Sequence, residues 1–159
     1  MMRELPILKT LVFEIRYSSG HLYYDRCGQT LQDIENNLVG WVGGIPDINT
    51  GSLQRIDKEY NASFGGIKYD FTANNAGKEE TEIIAKDISS LWRIIQANLG
   101  MEDFVRVGCR FYYLIPTEST EEAEDRLKAS ELTIKFPESF FQNDNKIKNR
   151  HIITVITNG

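Results

Sequence analysis

The apolar positions of the first forty residues change rhythm once. In residues 10–17, Leu11, Phe13, Ile15 and Tyr17 alternate with Val12, Glu14 and Arg16, the two-residue period of a strand with one buried face. Ser18-Ser19-Gly20 ends that strand. From Tyr24 to Trp41, the residues Cys27, Leu31, Ile34, Leu38 and Trp41 recur at intervals of 4, 3, 4 and 3, which lays them along one stripe of a helix. Gly43-Gly44 and Pro46 then break the chain.

The two-residue rhythm returns at Tyr60, Ala62 and Phe64, pauses at Gly65-Gly66, and resumes at Ile67, Tyr69 and Phe71. A Gly-Gly pair supplies the positive φ angles of a primed turn, so the pattern predicts a β-hairpin. Its expected register sets Phe64 against Ile67, Ala62 against Tyr69 and Tyr60 against Phe71. A second helix is expected from about Glu79 to Asn98, with Ile84, Ile88, Leu91, Ile95 and Leu99 on its stripe and Trp92 beside it. Glu79, Glu80 and Glu82 suit the positive end of its dipole, and Gly100 stands where a glycine cap belongs.

Residues 104–115 form the longest predicted strand, with Val105, Val107, Cys109, Phe111, Tyr113 and Ile115 on one side and Pro116 closing it. Ser119-Thr-Glu-Glu122 has the spacing of a capping box and opens a third helix to about Ser130. Beyond it, residues 133–136 read as extended, 137–141 as one turn, 143–149 as a polar loop and 150–157 as a last β-rich run.

This order of elements predicts an α+β fold. Its core is a ferredoxin-like β-α-β-β-α-β antiparallel sheet with the helices on one face, plus a C-terminal helix and strand extension. A length of 159 residues predicts a single α+β domain over 1–159. The final strand run followed by Asn158-Gly159 resembles the first half of a hairpin. It leaves two expectations open, a frayed sheet edge or the N-terminal part of a longer protein.

Composition narrows the partners more than the fold. A formal charge of -5 argues against nucleic acid and membrane surfaces, both of which need a basic field. No basic segment precedes an apolar leader and no apolar run reaches membrane-spanning length, so the expected location is the cytoplasm with reduced cysteines. Cys27 and Cys109 stand in no CxxC pair, and the Glu118–Asp125 acidic run lacks the alternating ligands and turn glycine of a calcium loop. Phosphate-loop, dinucleotide, nucleophile-elbow and zinc-helix motifs are all missing. No cofactor and no metal is expected.

Two constellations retain chemical interest. The strand faces turned away from the helices carry Glu14 and Arg16 of the first strand and Arg106, Gly108, Arg110 and Tyr112 of the last, with Glu14 expected across from Arg106 or Arg110. Three guanidinium groups around a glycine gap suit a small anionic ligand, a carboxylate or a phosphate. The plainer alternative is a cross-strand ion pair with solvated arginines. The same face offers no aromatic platform for bases, which argues against RNA. His21, Tyr23 and Asp25 lie where the first strand passes into the first helix, together with Cys27. Cys27 belongs to the apolar stripe, where a buried thiol is inert, and Asp25 suits the helix start.

The strand Phe104-Val-Arg-Val-Gly-Cys-Arg-Phe-Tyr-Tyr, preceded by a helix carrying Trp92, resembles the F-x-R-[IV]-G-x-R signature of a sporadically distributed bacterial family without assigned function. Where that family often has an Asn a few positions past the second Arg, this chain has Tyr112-Tyr113. The resemblance implies a bacterial origin and no established activity.

The expected function is therefore a non-catalytic interaction module, binding a protein partner or itself through a sheet edge or the arginine face. The alternative is a sensor domain that captures a small anion at Arg16, Arg106 and Arg110. A small enzyme with chemistry near His21 and Asp25 is the third reading.

Overall fold

A computed structural model describes residues 6–18, 20–77 and 81–129. The elements run β1 (Ile7–Tyr17), α1 (Tyr23–Asn37), β2 (Trp41–Gly43), β3 (Thr50–Arg55), β4 (Tyr60–Gly65), β5 (Lys68–Asn74), α2 (Thr81–Leu99), β6 (Phe104–Leu114) and α3 (Thr120–Ala129). The strands form one six-stranded sheet in the order β2-β3-β4-β5-β1-β6, antiparallel throughout. The expected α+β class and antiparallel sheet are present, and β2 and β3 enlarge the sheet beyond the four-strand core that the sequence predicts.

The enlargement comes from residues 41–55, where the sequence pattern shows the end of a helix at Trp41 and a break at Gly43-Gly44 and Pro46. They form β2 and β3 instead. β3 reads Thr-Gly-Ser-Leu-Gln-Arg, and only Leu53 in it is a large apolar residue. At the position where an inward side chain would stand, Gly51 leaves room: a Cβ there would lie 2.8 Å from the Phe64 ring and 2.9 Å from the Cys27 sulfur. The strand is thus defined by what its neighbours fill, and its own alternation is silent.

Helix α1 is also shorter than its stripe suggests. Cys27, Leu31 and Ile34 are buried along it, but Leu38 is already extended and Gly40 has φ 88°, a left-handed turn that suits glycine. Trp41 therefore enters β2, where it still reaches the core and packs on Phe71 at 5.9 Å between ring centroids. Helix α2 follows expectation, with Ile84, Leu91, Ile95 and Leu99 buried. Gly100, at φ 61°, turns its N–H back to the Gln96 carbonyl at 2.9 Å, the left-handed cap the sequence led one to expect.

The β4–β5 hairpin exists, but its register is two residues longer than expected. Phe64 pairs with Tyr69, Ala62 with Phe71 and Tyr60 with Ala73. Neither Gly65 nor Gly66 has positive φ, so the primed two-residue turn does not form. The wider loop is held by β1: the Tyr17 N–H donates to the Ile67 carbonyl at 3.0 Å, and its hydroxyl lies 2.6 Å and 2.7 Å from the Gly65 and Lys68 carbonyls. Ile67 is left exposed at the loop tip.

β1 is the central organiser. It pairs with β5 on one side and β6 on the other. A register shift between Leu8 and Thr10 against β6 adds a residue, as a bulge does. That shift turns Leu8, which simple alternation would send to the other face, back into the core. The core face carries Leu11, Ile15, Tyr17, Tyr60, Ala62, Phe64, Tyr69 and Phe71, all buried. It packs against α1 and α2, with Leu11, Ile15, Phe64 and Phe71 each contributing about 1.5–3 kcal/mol of burial. Trp92 of α2 bridges Tyr17, Tyr69 and Phe104 at 5.7–6.0 Å between centroids.

Helix α3 starts as its capping box predicts, with the Glu122 N–H donating to Ser119 Oγ at 3.1 Å. Among the described residues no helix is long and apolar enough to cross a membrane. The elements expected at 133–136, 137–141 and 150–157, the Asn158-Gly159 ending, and Glu79 and Glu80 lie outside the described residues.

Candidate functional site

The sheet face away from α1 and α2 is polar, because the second members of each alternation are polar. Pairing across β5, β1 and β6 sets these residues in rows. Lys68, Arg16 and Arg106 face one another in the first row, and Asp70, Glu14 and Gly108 in the second. Thr72, Val12 and Arg110 form the third, Asn74, Thr10 and Tyr112 the fourth. The residues of this face are exposed or half-buried.

Glu14 thus stands opposite Gly108, where the sequence suggested Arg106 or Arg110. The reason is register, which puts the glycine gap beside the carboxylate and the two arginines at its diagonals. Glu14 instead binds Arg16 along its own strand at 2.9 Å, and Lys68 binds Asp70 the same way at 2.6 Å. The Arg16 hydrogen bond, helped by the nearby charges of Arg106 and Lys68, holds the Glu14 carboxyl below the usual carboxylate range.

The first row carries three cations on neighbouring strands spaced about 4.8 Å apart. Directly opposed like charges repel, and the acidic row beside them offsets that repulsion. Arg110 lies four residues along β6 from Arg106, about 13 Å. The three arginines therefore share a face without converging on one point. Lys68 is the cation that joins Arg16 and Arg106, and its place in the row depends on the β1–β5 register, which the sequence does not display.

Tyr23 is on the other side of the sheet. It is buried, meets Phe64 edge-on at 5.9 Å, and its hydroxyl donates to the Asp47 carbonyl at 2.8 Å. Burial pushes its phenol well above the ordinary range. His21 sits exposed in the turn before α1, and Asp25 lies exposed in the helix's first turn. The structure therefore does not join His21 and Tyr23 to the arginine face. Cys27 is buried and Cys109 half-buried, and burial raises both thiols.

Sequence reasoning passed over Arg55, which bridges β3 to α2. Its guanidinium binds Asp57 at 2.9 Å and also Asp87, and the pair with Asp87 is largely shielded from water. No signal marked it, since β3 itself was hidden. The buried Tyr69 hydroxyl and Trp41 indole nitrogen have no hydrogen-bond partner among the described residues.

The edge of the sheet is the second notable feature. Among the described residues β6 ends the strand order, and it is eleven residues long. Its core-side residues Val107, Phe111 and Tyr113 are 56%, 45% and 58% exposed, and Phe111 and Tyr113 stack on each other at 6.4 Å. Helix α2 reaches β6 through the Trp92–Phe104 contact and leaves these three about half exposed. The residues of the signature noted in the sequence divide accordingly: Phe104 packs on Trp92, while Arg106, Gly108 and Arg110 belong to the polar face. No family model, curated protein or solved structure matches the chain.

Proposed function

We propose that this protein is a non-catalytic interaction module whose working surface is the β6 edge. The observation that supports this reading most is the exposure of Val107, Phe111 and Tyr113 along an eleven-residue terminal strand. Sheet edges offer unpaired N–H and C=O groups, and proteins blunt them with charge, proline or short length. Here β6 carries Arg106 and Arg110 on its polar face and exposed aromatics on its helix side. Such a surface suits strand addition, in which an extended segment of a protein partner, or of another copy, takes main-chain hydrogen bonds and seats alternate side chains.

On this reading the β4-β5-β1-β6 part of the sheet is a ferredoxin-like unit lengthened at its far edge by β2 and β3, and the module works in the cytoplasm with both cysteines as free thiols. A photo-reactive amino acid placed at position 111 should give a discrete cross-linked species in cell extract, and the same group at exposed Ile45 should not. No adduct at position 111 contradicts the proposal.

A second reading draws on the Lys68–Arg16–Arg106 row, which suits a phosphate or carboxylate laid across three strands. Inorganic phosphate or citrate should then raise the melting temperature as saturation grows, and Arg106→Ala should remove the rise. An equal response in that variant counts against anion capture.

A further inference from the structure

Three loops meet at the end of the sheet where β3, β4 and β5 reach the start of α1. Their backbones touch: a Cβ at Gly20 would collide with the Gly66 carbonyl, and one at Gly65 with the Asn49 carbonyl. Two phenols clamp the same loops, Tyr17 on the Gly65 and Lys68 carbonyls and Tyr23 on the Asp47 carbonyl. The Asp47 carboxylate accepts from the Asn49 and Thr50 N–H groups, each at 2.6 Å. The loops are thus held in place before any ligand arrives, which removes much of the ordering cost of binding.

Between them lies a cleft of about 350 Å³, walled among the described residues by Tyr23, Tyr24, Ile48, Phe64, Ile67 and Lys68. That volume falls at the small end of the roughly 300–1,000 Å³ of ligand sites. Tyr24, Ile48 and Ile67 are 69%, 74% and 69% exposed, so three large apolar side chains stand in water around one concave site. The Tyr23 and Tyr24 rings meet edge-on at 5.8 Å, a geometry that a third ring can extend. Lys68 is the one charged residue of the described lining, and it opens the cleft onto the Lys68–Arg16–Arg106 row. That row and the neighbouring Asp70 and Glu14 set three cations against two carboxylates. A positive charge is thus left over at the mouth of an apolar cleft, in a chain whose net charge is -5.

We propose that this cleft takes a small aromatic carboxylate, its ring between Ile48 and Ile67 against the tyrosine pair and its carboxylate on Lys68 and Arg16. The inference rests on the reading of the cationic row as an anion site and adds the apolar half of the ligand. An inorganic anion would engage the row alone, and a neutral ring would engage the cleft alone. Only a ligand carrying both groups a short distance apart matches the apolar wall and the surplus charge together.

Backbone amide NMR shifts of the full chain, titrated with phenylacetate, phenylacetamide and acetate, test this. Phenylacetate should move the amides of Ile48, Asn49, Ile67 and Lys68 and bind roughly tenfold tighter than either half-ligand. Ile67→Ser, at an exposed loop position, should weaken phenylacetate roughly three- to tenfold and leave acetate unchanged, whereas Lys68→Gln should weaken both. Phenylacetamide binding as tightly as phenylacetate, or an unchanged phenylacetate affinity in Ile67→Ser, overturns the proposal. Shifts confined to Arg16, Lys68 and Arg106, with phenylacetate no tighter than acetate, remove the cleft and leave the anion reading standing. No shift with phenylacetate, acetate or inorganic phosphate removes both.

Discussion

Strands β5 and β6 pair with opposite sides of β1, and both send apolar side chains to the helix side at every second residue. Tyr69, Phe71 and Ala73 of β5 are fully buried, whereas Val107, Phe111 and Tyr113 of β6 are about half exposed. The two strands have the same period and the same central partner. They differ in what lies above them: α2 spans β5 and β1, and over β6 its Trp92 meets Phe104. Alternation fixes which face a side chain joins, while coverage depends on where a helix is laid.

The largest effect that should expose this contrast is cavity formation. Phe71→Ala should cost about 3–5 kcal/mol in urea unfolding, and Phe111→Ala under about 1 kcal/mol at monomeric concentrations. Equal losses would mean that β6 is as well covered as β5.

A glycine pair sharpens the same point from the opposite direction. Gly51 faces Phe64 and Cys27 at 2.8–2.9 Å from an added Cβ, whereas at Gly108 the nearest atoms are guanidinium nitrogens of Arg106 at 3.7–3.8 Å. Gly51→Ala should therefore destabilise by about 1–3 kcal/mol through overpacking, and Gly108→Ala should stay within about 0.5 kcal/mol. Thermal unfolding of the two variants gives the comparison directly.

Much of the architecture was legible in the chain. The faces of β1 and β6, the stripes of α1 and α2, and the Ser119 cap all followed from period and cap chemistry. Three features did not. β3 is hidden because Gly51 contributes space in place of a side chain. The hairpin register was misjudged because Tyr17, forty-eight residues from Gly65, holds the loop open. The charged rows were half visible: Arg16, Arg106 and Arg110 were seen to share a face, but their spacing and the role of Lys68 depend on the β1–β6 and β1–β5 registers. Long-range contacts decided each case, and no local window contains them.

The smallest effect belongs to the polar face. Glu14 has its carboxyl lowered by Arg16, so its stabilising contribution is fully present above its ordinary value of 4.5 and is lost as pH falls through the lower folded value. Glu14→Gln should reduce stability at pH 7 by only about 0.2–1 kcal/mol and should remove that part of the acid dependence. An unchanged acid limb in unfolding measured from pH 7 to pH 2 would show that the Arg16 pair contributes nothing in solution.

Residue-resolved amide hydrogen exchange, followed over a dilution series, tests the exposed edge most directly. The β5 amides of Tyr69 and Phe71 should exchange slowly at every concentration. Those of Val107, Cys109 and Phe111 should exchange fast in dilute solution. Slow, concentration-independent exchange at these three β6 residues would contradict the account, because it would mean the edge is already covered within a single chain.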